Sequence, residues 1–215
     1  CLSFAGCYDE NMTWAARKDD DTLPIGGYIY YLYSAYTEAA SQVDSSTHVL
    51  DAQIDGATVG IGGSMTIQAM GLSERLSKHN EVIWHWEGGE LRRAMLADVY
   101  LTSVNGLAET GEIVNIDGNC NRVAASMFGP KRVYYVVGIN KIAPDFEKAL
   151  WRARNVAAPK NAQRRGKKTP CAVKADRCYD CKSPERICRG LSVLWRKPTG
   201  FEQAEVVLIE EELGM

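Results

Sequence analysis

The sequence predicts an α/β fold in three layers around a largely parallel sheet. Two observations carry that reading. From residue 57 onward, β-branched or aromatic runs of strand length alternate with stretches of helical spacing. The strongest run, "VYYVVGI" (133–139), is continuously apolar and of strand length, which marks a buried strand. Alternation of this kind places helices on a parallel sheet through right-handed crossovers.

The elements follow in order. "TVGIG" (58–62) is a short strand that ends in glycines. "SMTIQAMGLSERL" (64–76) reads as a helix, with Ile67, Met70, Leu72 and Leu76 near helical spacing and Ser64 as N-cap. "EVIW" (81–84) is a strand and "GELRRAMLA" (89–97) a helix. "DVYLTS" (98–103) and "EIVNI" (112–116) are strands separated by a turn at "AETG". "NRVAASMF" (121–128) is a short helix, "RVYYVVGI" (132–139) a strand, and "PDFEKALWRARNVA" (144–157) a helix with Pro144 at its start. "LSVLWR" (191–196) and "EVVLIE" (205–210) are the closing strands. Upstream, residues 1–27 show no clear period, "RKDDD" and "PIGG" read as loop or linker, and residues 28–42 read as a helix, with a strand as the alternative that their aromatic run allows. The organisation is therefore an N-terminal segment, 1–56, and an α/β domain, 57–213, with a cysteine-rich segment at 169–190.

With 215 residues, 46% of them hydrophobic, the chain can bury a sizeable core. A net charge of −2 argues against a dedicated nucleic-acid binder. That balance hides an asymmetry: residues 151–198 carry fourteen Lys or Arg against Asp176, Asp180 and Glu185, while 201–215 carry five Glu and no base. The run "RRGKK" (164–168) reads as a solvated loop. No stretch approaches the roughly 18 apolar residues of a membrane span. A cytoplasmic location is expected, where structural disulfides are rare.

Two loops stand out. "VGIGGSMT" (59–66) sets Gly62, Gly63 and Ser64 between a strand end and a helix start, where free backbone N–H groups can hold an anion. It is neither a Walker A loop nor the dinucleotide fingerprint, and a tight turn without ligand is the competing reading. The second loop places Asp117, Asn119, Asn121 and Arg122 before a helix. Arg122 could grip a carboxylate or phosphate with two parallel hydrogen bonds. A self-satisfied turn whose Asp caps the helix is the alternative.

Cys171, Cys178, Cys181 and Cys188 are spaced C-x6-C-x2-C-x6-C. Four thiolates can hold zinc or an iron–sulfur cluster, although the spacing matches neither ordinary zinc ribbons nor ferredoxin runs. Free thiols and disulfides remain the alternatives. Lys174, Arg177, Lys182, Arg186 and Arg189 lie among them, and positive neighbours stabilise thiolates. Elsewhere His48, His79 and His85 are scattered, "WHW" (84–86) reads as a packed strand end, and Ser64 lacks a nucleophile elbow. No catalytic residue is legible, and whether the chain is an enzyme stays open.

These stretches, with "ADVYLTSVNGLAETGEIVNIDG", "NRVAASMFGPKRVYYVVGINKI", "RNVAAPKNAQR" and "TPC…CYDCKSPERIC", together resemble the LUD domain family, the lactate-utilisation proteins of the C type. The resemblance covers roughly 57–213. It implies a fold similar to glucosamine-phosphate deaminases, ribose-phosphate isomerases and CoA transferases, where a glycine loop commonly binds an anionic group. It also implies an accessory subunit in the oxidation of lactate to pyruvate. The expected partners are iron–sulfur oxidoreductase subunits, a small anionic ligand and a second copy of the chain, with no nucleic acid and no membrane. In that setting an iron–sulfur cluster is favoured over zinc for the four cysteines. The alternative is a stand-alone enzyme or binding protein for a phosphorylated or CoA-linked metabolite; a third reading is a structural interaction module. The sequence departs from the family pattern at Cys120, where a glycine is usual, at Ala69, where an acid is usual, and over 1–56, which match poorly.

Overall fold

The computed structural model describes two strands at 14–18 and 21–24, residue 50, and residues 53–215. The helix expected over 28–42, and Cys1 and Cys7, lie outside the described residues. Strands β1 (Trp14–Lys18) and β2 (Asp21–Pro24) pair antiparallel. Arg17, Lys18 and Asp21 of "RKDDD", expected as loop, therefore lie in paired strands. Main-chain pairing makes a two-stranded ribbon, so its charged sequence is no obstacle.

The remaining strands are β3 (Thr58–Ile61), β4 (Glu81–Trp84), β5 (Val99–Thr102), β6 (Gly106–Ala108), β7 (Ile113–Asp117), β8 (Arg132–Gly138), β9 (Ile142–Ala143), β10 (Gly190–Leu194) and β11 (Gln203–Ile209). Five of them form one parallel sheet in the order β11-β8-β5-β3-β4. The chain thus winds outward to β4, returns past β3 and continues through β5, which puts a topological switch between β3 and β5. The other four form a mixed sheet, β10-β7-β6-β9. Its short strands β6 and β9 have two or three residues, too few for an apolar period to show.

Seven short helices lie among residues 57–215: α1 (Met65–Ala69), α2 (Leu72–Leu76), α3 (Leu91–Met95), α4 (Asn121–Ala125), α5 (Phe146–Arg152), α6 (Ala158–Arg164) and α7 (Pro170–Lys174). The single helix expected over 64–76 is split, because Gly71 takes a left-handed φ of 63° that breaks the ladder. Ser64 does cap α1, accepting the Ile67 N–H at 3.2 Å. Helix α5 starts two residues later than the proline rule places it: Asp145 is the N-cap, accepting from Lys148 N at 2.7 Å. A widened turn at Ala153–Ala157 carries α5 directly into α6.

Strand alternation sorts the core into two faces. Val59, Ile61, Val99, Leu101, Tyr134, Val136 and Val207 pack against Ile67, Leu72 and Leu76 of α1 and α2. Tyr100, Val133, Tyr135, Val137 and Leu208 point the other way, onto Ala125 of α4 and the second sheet's Leu107, Ile113 and Leu194. Beyond that sheet Val114 and Ala108 meet Ala149 and Ala153. The parallel sheet is therefore covered on both faces, as the sequence predicts. Each fully buried Leu, Ile or Val contributes about 1.5–3 kcal/mol.

Candidate functional site

All five parallel strands send their carboxyl ends to one edge of the sheet, where ligands of open α/β sheets gather. A cleft of about 370 Å³ opens there. Gly63, Ser64 and Met65 enter it after β3, His85 and Trp86 after β4, Ser103 to Asn105 after β5, and Lys141 after β8. Asp117, Gly118, Asn119, Asn121 and Arg122 close it from the end of β7, and Asn161, Arg164 and Arg165 from α6 and the turn behind it. The glycine loop and the Asp117–Arg122 loop thus face one cleft although they follow strands of different sheets.

The residues singled out in the sequence have unequal places in this wall. Gly62 lies behind it: a Cβ there would stand 2.9 Å from the Tyr100 hydroxyl and 3.0 Å from Arg122 Cγ. Gly63 faces His85 and Trp86. The Ser64 hydroxyl is engaged in its capping bond. Asp117 is a cap too, accepting Gly118 N at 2.7 Å through Oδ1, and Arg122 N at 3.0 Å and Val123 N at 3.3 Å through Oδ2. Asn119 and Asn121 line the cleft.

Arg122 departs most from expectation. Its Nη1 donates to Ser103 O at 3.1 Å and Asn115 Oδ1 at 2.5 Å, and its Nη2 to Asn105 Oδ1 at 3.2 Å and Ile116 O at 2.7 Å. Those four acceptors use the terminal fork that a two-pronged grip on a ligand would need. The guanidinium instead ties the β5 loop to β7 and leaves its charge under the cleft.

Lys141, absent from the sequence candidates, is 4% exposed. Its Nζ donates to Thr66 Oγ1 at 2.7 Å and Ser103 Oγ at 2.9 Å, both neutral. Arg152 nearby donates, among the described residues, to main-chain oxygens of Asn140, Asn105 and Met215. Ion pairs among the described residues are Arg93–Glu81, Lys131–Asp98 and Arg154–Asp180, so none involves Arg122, Lys141 or Arg152. Burial first, then Arg152 and Arg122, push the Lys141 amine down to about 7. Burial also lowers His85, with Asp117 opposing and Arg165 reinforcing. Arg164 lies over the Trp86 ring at 5.4 Å, so the "RRGKK" run is partly wall and only partly solvated loop.

The four cysteines surround a second cavity of about 290 Å³, behind the first. Cys120 is not among its walls. Its backbone takes a left-handed φ of 63° at the start of α4, and its Sγ covers Gly190.

A model of the LUD domain matches residues 34–209, more than half of the chain. The chain belongs to the LUD domain family. No curated protein sequence matches it. A crystal structure of a DUF162 family protein from Deinococcus radiodurans aligns over 85% of this chain and 97% of that one, at 12% identity and a TM-score of 0.37. In this LUD domain the left-handed backbone at Cys120 is a conformation that glycine takes without steric cost, which suits the glycine expected at that position. The residues missed in the sequence, Lys141, Ser103, Asn105, His85 and Arg165, each sit one to three positions past a strand or helix end. A lone Lys inside the apolar stretch "VVGINKIA" was the available signal for Lys141.

Proposed function

We propose that this LUD domain binds a small carboxylate in its cleft and serves as an accessory subunit in the oxidation of lactate to pyruvate. One observation carries the anion reading: among the described residues Arg122 and Lys141 are buried at the cleft without a carboxylate partner, and Arg164 and Arg165 join them against Asp117, whose oxygens are engaged in capping. Buried unpaired charge is costly, and a bound anion would offset that cost. The association of the family with lactate utilisation supplies the ligand class. A 2-hydroxy acid would set its carboxylate against Lys141 and its hydroxyl against an amide such as Asn119 or Asn121. Oxidation itself falls to iron–sulfur oxidoreductase subunits, which we expect as cytoplasmic partners.

Calorimetry on the purified chain with lactate, pyruvate, inorganic phosphate and CoA tests the ligand class. Lactate or pyruvate should bind with Kd below about 1 mM, some 4 kcal/mol or better, and more tightly than phosphate or CoA. Preference for phosphate or CoA would instead support a protein for a phosphorylated or CoA-linked metabolite, and absence of all binding would remove the anion reading. Partner subunits should co-purify with the tagged chain from its native cell.

A further inference from the structure

The second cavity carries a separate assignment. Cys171, Cys178, Cys181 and Cys188 all line it, each partly buried and free. Three of them come from 175–189, a stretch with neither helix nor strand that bends through left-handed backbone at Ala175 (φ 53°) and Asp180 (φ 46°). The loop thus brings sulfurs together without help from regular structure.

Donors are aimed at those sulfurs. Asp180 N donates to Cys178 Sγ at 3.3 Å, with Arg154 Nη2 at 3.9 Å. Arg186 Nη2 donates to Cys188 Sγ at 3.4 Å, and the same guanidinium holds Cys181 O at 2.9 Å and Cys188 O at 3.1 Å. The Thr169 hydroxyl lies 3.2 Å from Cys171 Sγ. Cationic and main-chain N–H groups of this kind are the outer partners that orient sulfur ligands around a metal centre.

The spacing separates two kinds of occupant. Four thiolates on one zinc ion, each about 2.3 Å from it, stand only about 3.8 Å from one another. No group of three or more Cys, His, Asp or Glu among the described residues is placed to hold a single ion. The four cysteines instead line one cavity, and a cluster of several irons takes one or two thiolates at each iron around a larger core. Arg154, Arg186 and Arg189 in the wall offset the roughly two negative charges that four thiolates leave on such a cluster.

We infer that Cys171, Cys178, Cys181 and Cys188 bind an iron–sulfur cluster in the cavity between α6 and the 175–189 loop. Ile116, Ala158 and Ile187 line both cavities, so the cluster stands one side-chain layer from the cleft. The assignment does not depend on which anion the cleft takes.

The test is anaerobic purification of the whole chain, reconstitution with ferrous iron and sulfide, and measurement of iron, acid-labile sulfide, zinc and the visible spectrum. Equal iron and labile sulfide, two or four of each per chain, with a sulfur-to-iron charge-transfer band, is the expected result; the number distinguishes a two-iron from a four-iron cluster. In the loaded protein, peptide mapping after iodoacetamide should find these four cysteines protected, a readout that needs no variant. Single Cys→Ser changes at the four positions should each lower iron more than fivefold, while Cys120→Ser retains it. Zinc without labile sulfide, no bound metal, disulfides among the four in anaerobic protein, or a cluster that leaves them open to alkylation would each overturn the assignment.

Discussion

Arg122→Ala should destabilise the fold by roughly 3–5 kcal/mol, the cost of breaking up a buried charged network. Arg122 is 8% exposed, and its guanidinium donates to two main-chain carbonyls, Ser103 O and Ile116 O, and to two amide oxygens, on Asn115 and Asn105. Alanine would take the charged donor from all four, leaving Ser103 O, Asn115 Oδ1 and Asn105 Oδ1 with only their weaker neutral donors, Thr102 Oγ1, Asn105 N and Ile116 N, and would open a void behind Gly62. At about 2–4 °C per kcal/mol for a chain of this size, the melting temperature should fall by about 6–20 °C. Arg122→Lys keeps the charge but offers three donors without the planar fork, so it should recover less than half of the loss. Thermal melts followed by circular dichroism decide the matter. A melting temperature unchanged in Arg122→Ala, with only ligand affinity reduced, would return Arg122 to direct anion binding.

Gly60→Ala is expected to cost about 3 kcal/mol or to prevent folding, at the upper end of overpacking effects. A Cβ at Gly60 would lie 2.0 Å from Ala94 O and 2.8 Å from Ala94 C, both main-chain atoms of α3, and 3.0 Å from Tyr100 Cδ2. Backbone cannot rotate away as a side chain can, so α3 would have to lift off the sheet. The strand ends two residues before the cleft, and the lift would disturb Gly62 and Ser64 as well. Denaturant unfolding measures the loss; a difference under about 0.5 kcal/mol would mean that α3 does not sit on β3 as described.

These two positions show what the sequence makes legible and what it hides. "EVIW" forms β4 over the expected residues, and the alternation in "RVYYVVG" sorts side chains onto two faces because a strand's period is two. The glycine loop is readable since a turn from strand to helix announces itself locally. By contrast, the reason for Gly60 lies 34 residues away in α3. The fork of Arg122 is similarly consumed by acceptors from β5's loop and from β7, so its chemistry looked free when only its own loop was in view. Lys141 becomes a site residue only when β3, β5 and β8 lie parallel and bring Thr66 and Ser103 to its amine. The split at Gly71 went unseen because apolar spacing continues across it, with Ile67 before and Leu72 and Leu76 after.

The central claim is that unpaired buried charge makes the cleft an anion site, and Lys141 is its most sensitive member. Burial holds the empty protein's amine at about 7, well below a lysine's usual ~10.4. Pyruvate keeps its single charge from pH 6 to 9 and would favour the protonated amine, so above pH 7 its binding must take up a proton. By linkage the affinity is greatest below about pH 7 and falls as pH rises, by up to tenfold per unit, until the amine of the complex itself titrates. Calorimetric titration of pyruvate from pH 6 to 9 should show that fall in the native chain. In Lys141→Gln the affinity should be at least about tenfold weaker at pH 6, some 1.4 kcal/mol, and this component of the pH dependence should be gone. A native affinity that stays flat across that range, or one that Lys141→Gln leaves unchanged, would contradict the account.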